Sequence, residues 1–98
     1  MMTGGFSDPK PATPEVQHLA DQVKAQLESR ENKTYSTFKA IIYRLQVVAG
    51  TNYLIKIQNG NNDYIHLKIF QALPHENQVP ILTGYQTGKT RDDPLNSF

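Results

Sequence analysis

Three histidines, His18, His66 and His75, are the side chains in this sequence best suited to proton transfer or metal ligation. None pairs with another histidine or a carboxylate at the spacing of a helical metal motif such as H-E-x-x-H. With no cysteine, a thiolate zinc site cannot close and no thiol nucleophile exists. His18 and His66 are therefore expected as solvated or rim side chains. No serine sits in a G-x-S-x-G elbow, and no glycine-rich loop of the phosphate-binding type is present. Asp92 and Asp93 are adjacent in a polar tail, where solvated carboxylates are expected. Asn32-Lys33-Thr34 matches the glycosylation acceptor pattern only formally. These residues imply a protein that is not an enzyme, with no catalytic set, no metal and no cofactor.

The segment that departs from ordinary sequence rules is apolar. Gln46-Val47-Val48-Ala49-Gly50 joins two candidate strands, where turns usually place Asn, Asp, Gly, Ser or Pro. Two readings stay open on the pattern. In one, both valines continue a strand and the turn is Ala49-Gly50-Thr51-Asn52. In the other, a small-residue turn presents two stiff aliphatic side chains to solvent as a binding edge. Leu73-Pro74-His75 repeats the anomaly, although Leu73 can equally close a strand end against the sheet. A third candidate is Gly4-Gly5, where the lack of side chains permits close approach to a partner.

The surrounding elements must position these segments. Residues 1–13 carry Gly4, Gly5, Pro9 and Pro11 and read as an extended, mobile arm. Thr13 is a candidate N-cap, with Pro14 at the first helical position and Glu15 where negative charge suits the helix dipole. Val16, Leu19, Ala20, Val23 and Leu27 recur at spacings of three and four, which predicts an amphipathic helix over 14–31. From Tyr35 the period becomes two. Strands are expected over 35–46, 53–58, 64–69 and 80–87, with Asn59-Gly60 turning the second into the third. The alternation in 35–46 is inconsistent, and a bulge would reconcile it. The tail from Gly88 is polar and expected to be only partly ordered. Short connections favour an antiparallel meander, whose hairpin tips at 46–50 and 73–77 lie at one end; the arm joins them there if the helix starts at that end. The expectation is an α+β fold with one N-terminal helix packed across a four- to five-stranded antiparallel sheet.

Overall composition sets the bounds. Ninety-eight residues suit a single domain over 1–98, and 38% hydrophobic with 19% charged residues suits a globular chain. A net charge of +1 offers no field for capturing nucleic acid or an anionic membrane, and no apolar run approaches membrane-spanning length. Residues 1–7 lack the charged and apolar regions of a secretory signal, so a cytoplasmic location is expected.

The order of these motifs resembles the type 1 cystatins, or stefins. Gln46-Val47-Val48-Ala49-Gly50 matches the family's Q-V-V-A-G loop in full, and Thr51-Asn52-Tyr53 continues it. Leu73-Pro74-His75-Glu76-Asn77 is similar to the family's second hairpin, and His18-Leu19-Ala20-Asp21-Gln22-Val23 to its helix. The resemblance covers nearly the whole chain. It implies a cystatin-like fold and reversible, tight inhibition of papain-like cysteine proteases, such as cathepsins B, H, L and S, in the cytoplasm and also the nucleus. It implies protease-binding roles for Gly4, Gly5, Gln46, Val47, Val48, Ala49, Gly50, Leu73, Pro74 and His75. Gly4 fits the family spacing better than Gly5, and no tryptophan supports the second loop. The expected state is a monomer, with a domain-swapped dimer and a non-inhibitory interaction module as the alternative.

Overall fold

The computed structural model describes residues 5–98. In chain order its elements are β1 (Lys10–Pro11), α1 (Pro14–Glu31), β2 (Lys39–Val48), β3 (Gly50–Gln58), β4 (Tyr64–Gln71) and β5 (Ile81–Lys89), with a 3-10 turn over Pro74–Glu76 before β5. The strands form one antiparallel sheet in the order β1-β2-β3-β4-β5, so each strand lies beside its predecessor in sequence.

Helix α1 has the predicted bounds because its ends are chemically marked. The Val16 N–H donates to Thr13 Oγ1 at 3.2 Å. At the other end Asn32 adopts a left-handed conformation, with φ of 56°, and its N–H donates to the Glu28 carbonyl. The five predicted stripe residues are the buried ones. Val16, Ala20, Val23 and Leu27 pack into a core with Tyr35, Ala40, Ile55, Ile57, Ile65, Leu67, Ile69 and Leu82. Each large aliphatic side chain buried this way contributes about 1.5–3 kcal/mol relative to exposure.

The bulge expected in the first long strand is present. Register shifts between Ala40 and Ile42, moving Tyr43 onto the helix face and Ile42 and Arg44 onto the other. That strand starts at Lys39 rather than Tyr35, because the segment before it is tied to the helix. The Tyr35 N–H donates to Glu28 Oε2 at 2.8 Å, and Gln17 bonds both the Phe38 carbonyl and the Ala40 N–H.

Three expectations are corrected. From Ser7 onward the arm is docked: Ser7 N–H donates to the Leu45 carbonyl at 2.7 Å, Ala12 N–H to the Ile41 carbonyl at 2.9 Å, and β1 pairs with β2 between them. The tail is ordered and crosses the sheet face opposite the helix. Lys56 Nζ donates to the carbonyls of Arg91 and Asp93, Arg44 Nη1 to Leu95, and Lys68 Nζ to Phe98. Leu95 is buried beneath this crossing. Consequently His66, on the covered face, is 1% exposed rather than solvated, whereas His18 is exposed as expected.

Candidate functional site

The β2–β3 hairpin closes with Val48 opposite Gly50 and only Ala49 between them. Both valines belong to the strand and are still bare: Val47 is 72% exposed and Val48 42%. The two sequence readings therefore each hold in part, since the strand continues and its side chains face solvent. Gly50 is buried with φ of 122°, a conformation that L side chains rarely adopt. A Cβ built there falls 2.7 Å from the Gln71 carbonyl oxygen and 2.7 Å from Cζ of Phe70. The need for glycine is thus set by the hairpin's own neighbours. Two residue pairs back, Asn52 Nδ2 donates to Gln46 Oε1 at 2.9 Å and braces the hairpin across its width.

Thr51 pairs with Gln71, so the chain leaving β4 through Ala72 and Leu73 emerges beside Gly50. Leu73 is half-buried and caps the 3-10 turn, while Pro74 and His75 are exposed. Glu76 N–H donates to the Leu73 carbonyl at 3.0 Å, and Asn77, at φ of 53°, donates to the Pro74 carbonyl. These bonds give the second loop a fixed shape.

The arm reaches the same end by a route different from the one expected. The first turn of α1 sits at the start of β2, away from the hairpin tips, because Gln17 is bonded to Phe38 and Ala40. The arm runs back along β2 instead, with Ser7 beside Leu45 and the exposed Gly5 two residues further toward the tip. Arg44 holds it there, donating from Nε to the Ser7 carbonyl at 2.8 Å while its Nη1 holds the tail. Gly4 lies outside the described residues.

Gly5, Gln46, Val47, Val48, Ala49, Gly50, Leu73, Pro74 and His75 thus converge on one end of the sheet. Two exposed aliphatic residues that the sequence reading missed stand beside them: Val79 at 70% and Ile81 at 45%. Their signal was available, as apolar residues flanking Pro80 immediately after a loop. Among the described residues at this end, none combines a nucleophile with a base. Among the described residues no group of three metal-ligating side chains occurs, and no helix is long and apolar enough to cross a membrane. A polar cavity of about 260 Å³ lies at the opposite end, between Tyr35, Asn59, Asp63 and Gly88.

Comparison with known proteins places the chain in a family. The Cystatin domain family matches residues 4–92. Leukocyte cysteine proteinase inhibitor 1 of Sus scrofa is 56% identical over all 98 residues, which cover 95% of that protein. Human cystatin-A and human cystatin-B are each 53% identical, with both chains covered in full. With a matching family over most of its length, end-to-end relatives above half identity, and a helix crossing a five-stranded antiparallel sheet, this chain belongs to the cystatin family, among its stefin and cystatin A/B members.

Proposed function

We propose that the chain is a reversible inhibitor of papain-like cysteine proteases and catalyses no reaction itself. The arm, the first hairpin and the second loop form a wedge that fills the protease cleft on both sides of the catalytic cysteine. No scissile carbonyl is offered to that cysteine, so inhibition is steric. The observation that carries this reading is the pair of bare valines on a hairpin whose backbone is fixed by internal contacts. Rigid, already desolvation-prone side chains bind with little ordering cost. The partner class is supported by the name of the Sus scrofa relative, a cysteine proteinase inhibitor. Cathepsins B, H, L and S are the finer targets proposed, in the cytoplasm and nucleus, with the chain acting as a single 1–98 domain.

Titration of active-site-counted papain tests this reading. The native chain is expected to inhibit with one-to-one stoichiometry. Val48→Asp is expected to raise the inhibition constant by about 100-fold or more, since it replaces a burial contribution of about 1.5–3 kcal/mol with a charge to desolvate. Because Val48 faces solvent, the unfolding midpoint is expected to stay unchanged. Inhibition intact in Val48→Asp would remove the hairpin from the binding site.

A second reading, domain exchange, is favoured by the single-residue turn between two long strands. Opening at Ala49 would join β2 and β3 into one strand shared between two copies. Size-exclusion chromatography distinguishes it: a stable dimer without inhibition supports exchange, and an inhibiting monomer excludes it as the main state.

A further inference from the structure

Val79 and Ile81 form a bare aliphatic shelf beside the second loop, on chain that is held still. Gln26, from α1, grips the backbone between them: its Nε2 donates to the Pro80 carbonyl at 3.1 Å, and its Oε1 accepts from the Leu82 N–H at 2.9 Å. Arg30 Nη2 donates to the Leu82 carbonyl at 2.9 Å. Pro80 and Leu82 are buried, so alternate residues anchor the segment while Val79 and Ile81 stay exposed. Two helix side chains thus fix a stretch on which Val79 and Ile81 stay exposed.

The shelf is continuous with the wedge. Ile81 pairs with Phe70, and Phe70 with Asn52, which is opposite Gln46. One row therefore crosses the sheet from the base of the first hairpin to the shelf, and the Phe70 ring within it lies against Gly50. Three strand spacings put Ile81 about 14 Å from the hairpin side of that row. This places the shelf beyond the width of the hairpin but on the same end of the molecule.

Pairing with a second copy through the β5 edge is disfavoured at this point. The Leu82 N–H and carbonyl and the Pro80 carbonyl are already bonded to the helix, and Pro80 has no N–H to donate. What remains free is side-chain surface.

We propose that Val79 and Ile81 dock on the inhibited protease outside its cleft, lengthening the life of the complex and contributing to the choice between proteases. This rests on the wedge reading above. The test uses the full chain with Val79→Ser, Ile81→Thr and the double variant, measured against papain and a second papain-like protease. Each single variant is expected to raise the inhibition constant about fivefold and the double about 25-fold, mainly through faster dissociation, with unequal losses on the two enzymes. Unfolding midpoints are expected to match the native chain. Constants within twofold of native, with Val48→Asp still inactivating, would overturn the shelf and leave the wedge standing. If Val48→Asp also inhibits normally, the wedge fails and the shelf with it. Equal losses on both enzymes would keep the contact and overturn its selective role. A native dimer that the double variant turns into a monomer, at unchanged inhibition, would overturn the proposal by assigning the surface to a second copy.

Discussion

At the hairpin tip, aliphatic side chains face water; beneath the tail, a lysine and a histidine do not. Val47 and Val48 stand exposed at the end of β2, whereas Lys56 and His66 are 3% and 1% exposed in the middle of the sheet. Both regions reverse the usual sorting of residue types, but they resolve the reversal differently. Exposed valine costs a folded chain little, since much of any protein surface is apolar, and the exposure stays available to a partner. A buried cation must be satisfied within the chain. Lys56 Nζ reaches the Arg91 and Asp93 carbonyls at 2.6 Å each, although burial still pulls its pKa down. His66 Nε2 has no hydrogen-bond partner among the described residues. The difference is that the tip's irregularity points outward to a binding event, while the one under the tail is internal and is expressed in stability.

The strongest way to break this contrast is at Gly50, where the tip does depend on internal packing. Gly50→Ala is expected to destabilise the fold by about 4 kcal/mol, combining a strained positive φ with overlap against Phe70 and Gln71. The Phe70 ring can swing aside, but the Gln71 carbonyl belongs to a paired strand and cannot. Urea unfolding with parallel papain titration checks this. A loss below about 1 kcal/mol with inhibition abolished would mean that the glycine serves the partner's approach rather than the hairpin's shape.

The covered face supplies the next effect. Burial, reinforced by the positive charges of Lys56 and Lys89, lowers the His66 pKa from 6.5 to about 4; Asp93 acts weakly in the opposite direction. Below pH 6.5 the unfolded chain takes up a proton at this residue and the folded chain does not. The contribution of neutral His66 is therefore complete above about pH 6.5 and is lost as pH falls toward 4. At about 1.4 kcal/mol per pH unit the loss reaches up to about 3 kcal/mol. His66→Leu is expected to flatten that part of the pH profile of urea unfolding. An unchanged slope would mean that the tail lifts away and hydrates the imidazole.

The two regions also differ in how far the sequence alone discloses them. The tip was legible because hairpin chemistry is local: valines where a turn favours polar residues are visible within five positions. Strand alternation correctly put Lys56 opposite Ile55 and Ile57, but the burial of that second face depends on a segment more than thirty residues away. Gly88 to Phe98 offers only Leu95 and Phe98 as apolar anchors, and its cover is built from lysine and arginine donors meeting backbone carbonyls. Such bonds leave no residue pattern. For the same reason the arm read as mobile, since its attachment runs through the backbone of Ser7 and Ala12. Helix α1 was readable because Thr13 and Pro14 mark its start chemically and its apolar stripe recurs at spacings of three and four, while the left-handed cap at Asn32 emerges only in the structure.

The smallest expected effect separates bracing from contact within the tip itself. Gln46 opens the Q-V-V-A-G segment and resembles a protease-binding residue by position, yet its side-chain oxygen accepts from Asn52 across the hairpin. Gln46→Ala removes that bond from a half-exposed site where water can replace it, so the stability cost is expected to be about 1 kcal/mol. Inhibition is expected to weaken only a few-fold, through poorer ordering of the free hairpin. Asn52→Ala is expected to do the same, and the double variant little more, because the two single changes break one shared bond. If Gln46→Ala instead weakens inhibition more than tenfold while Asn52→Ala does not, the glutamine touches the protease directly, and the outward-facing surface of the tip begins one residue earlier than Val47.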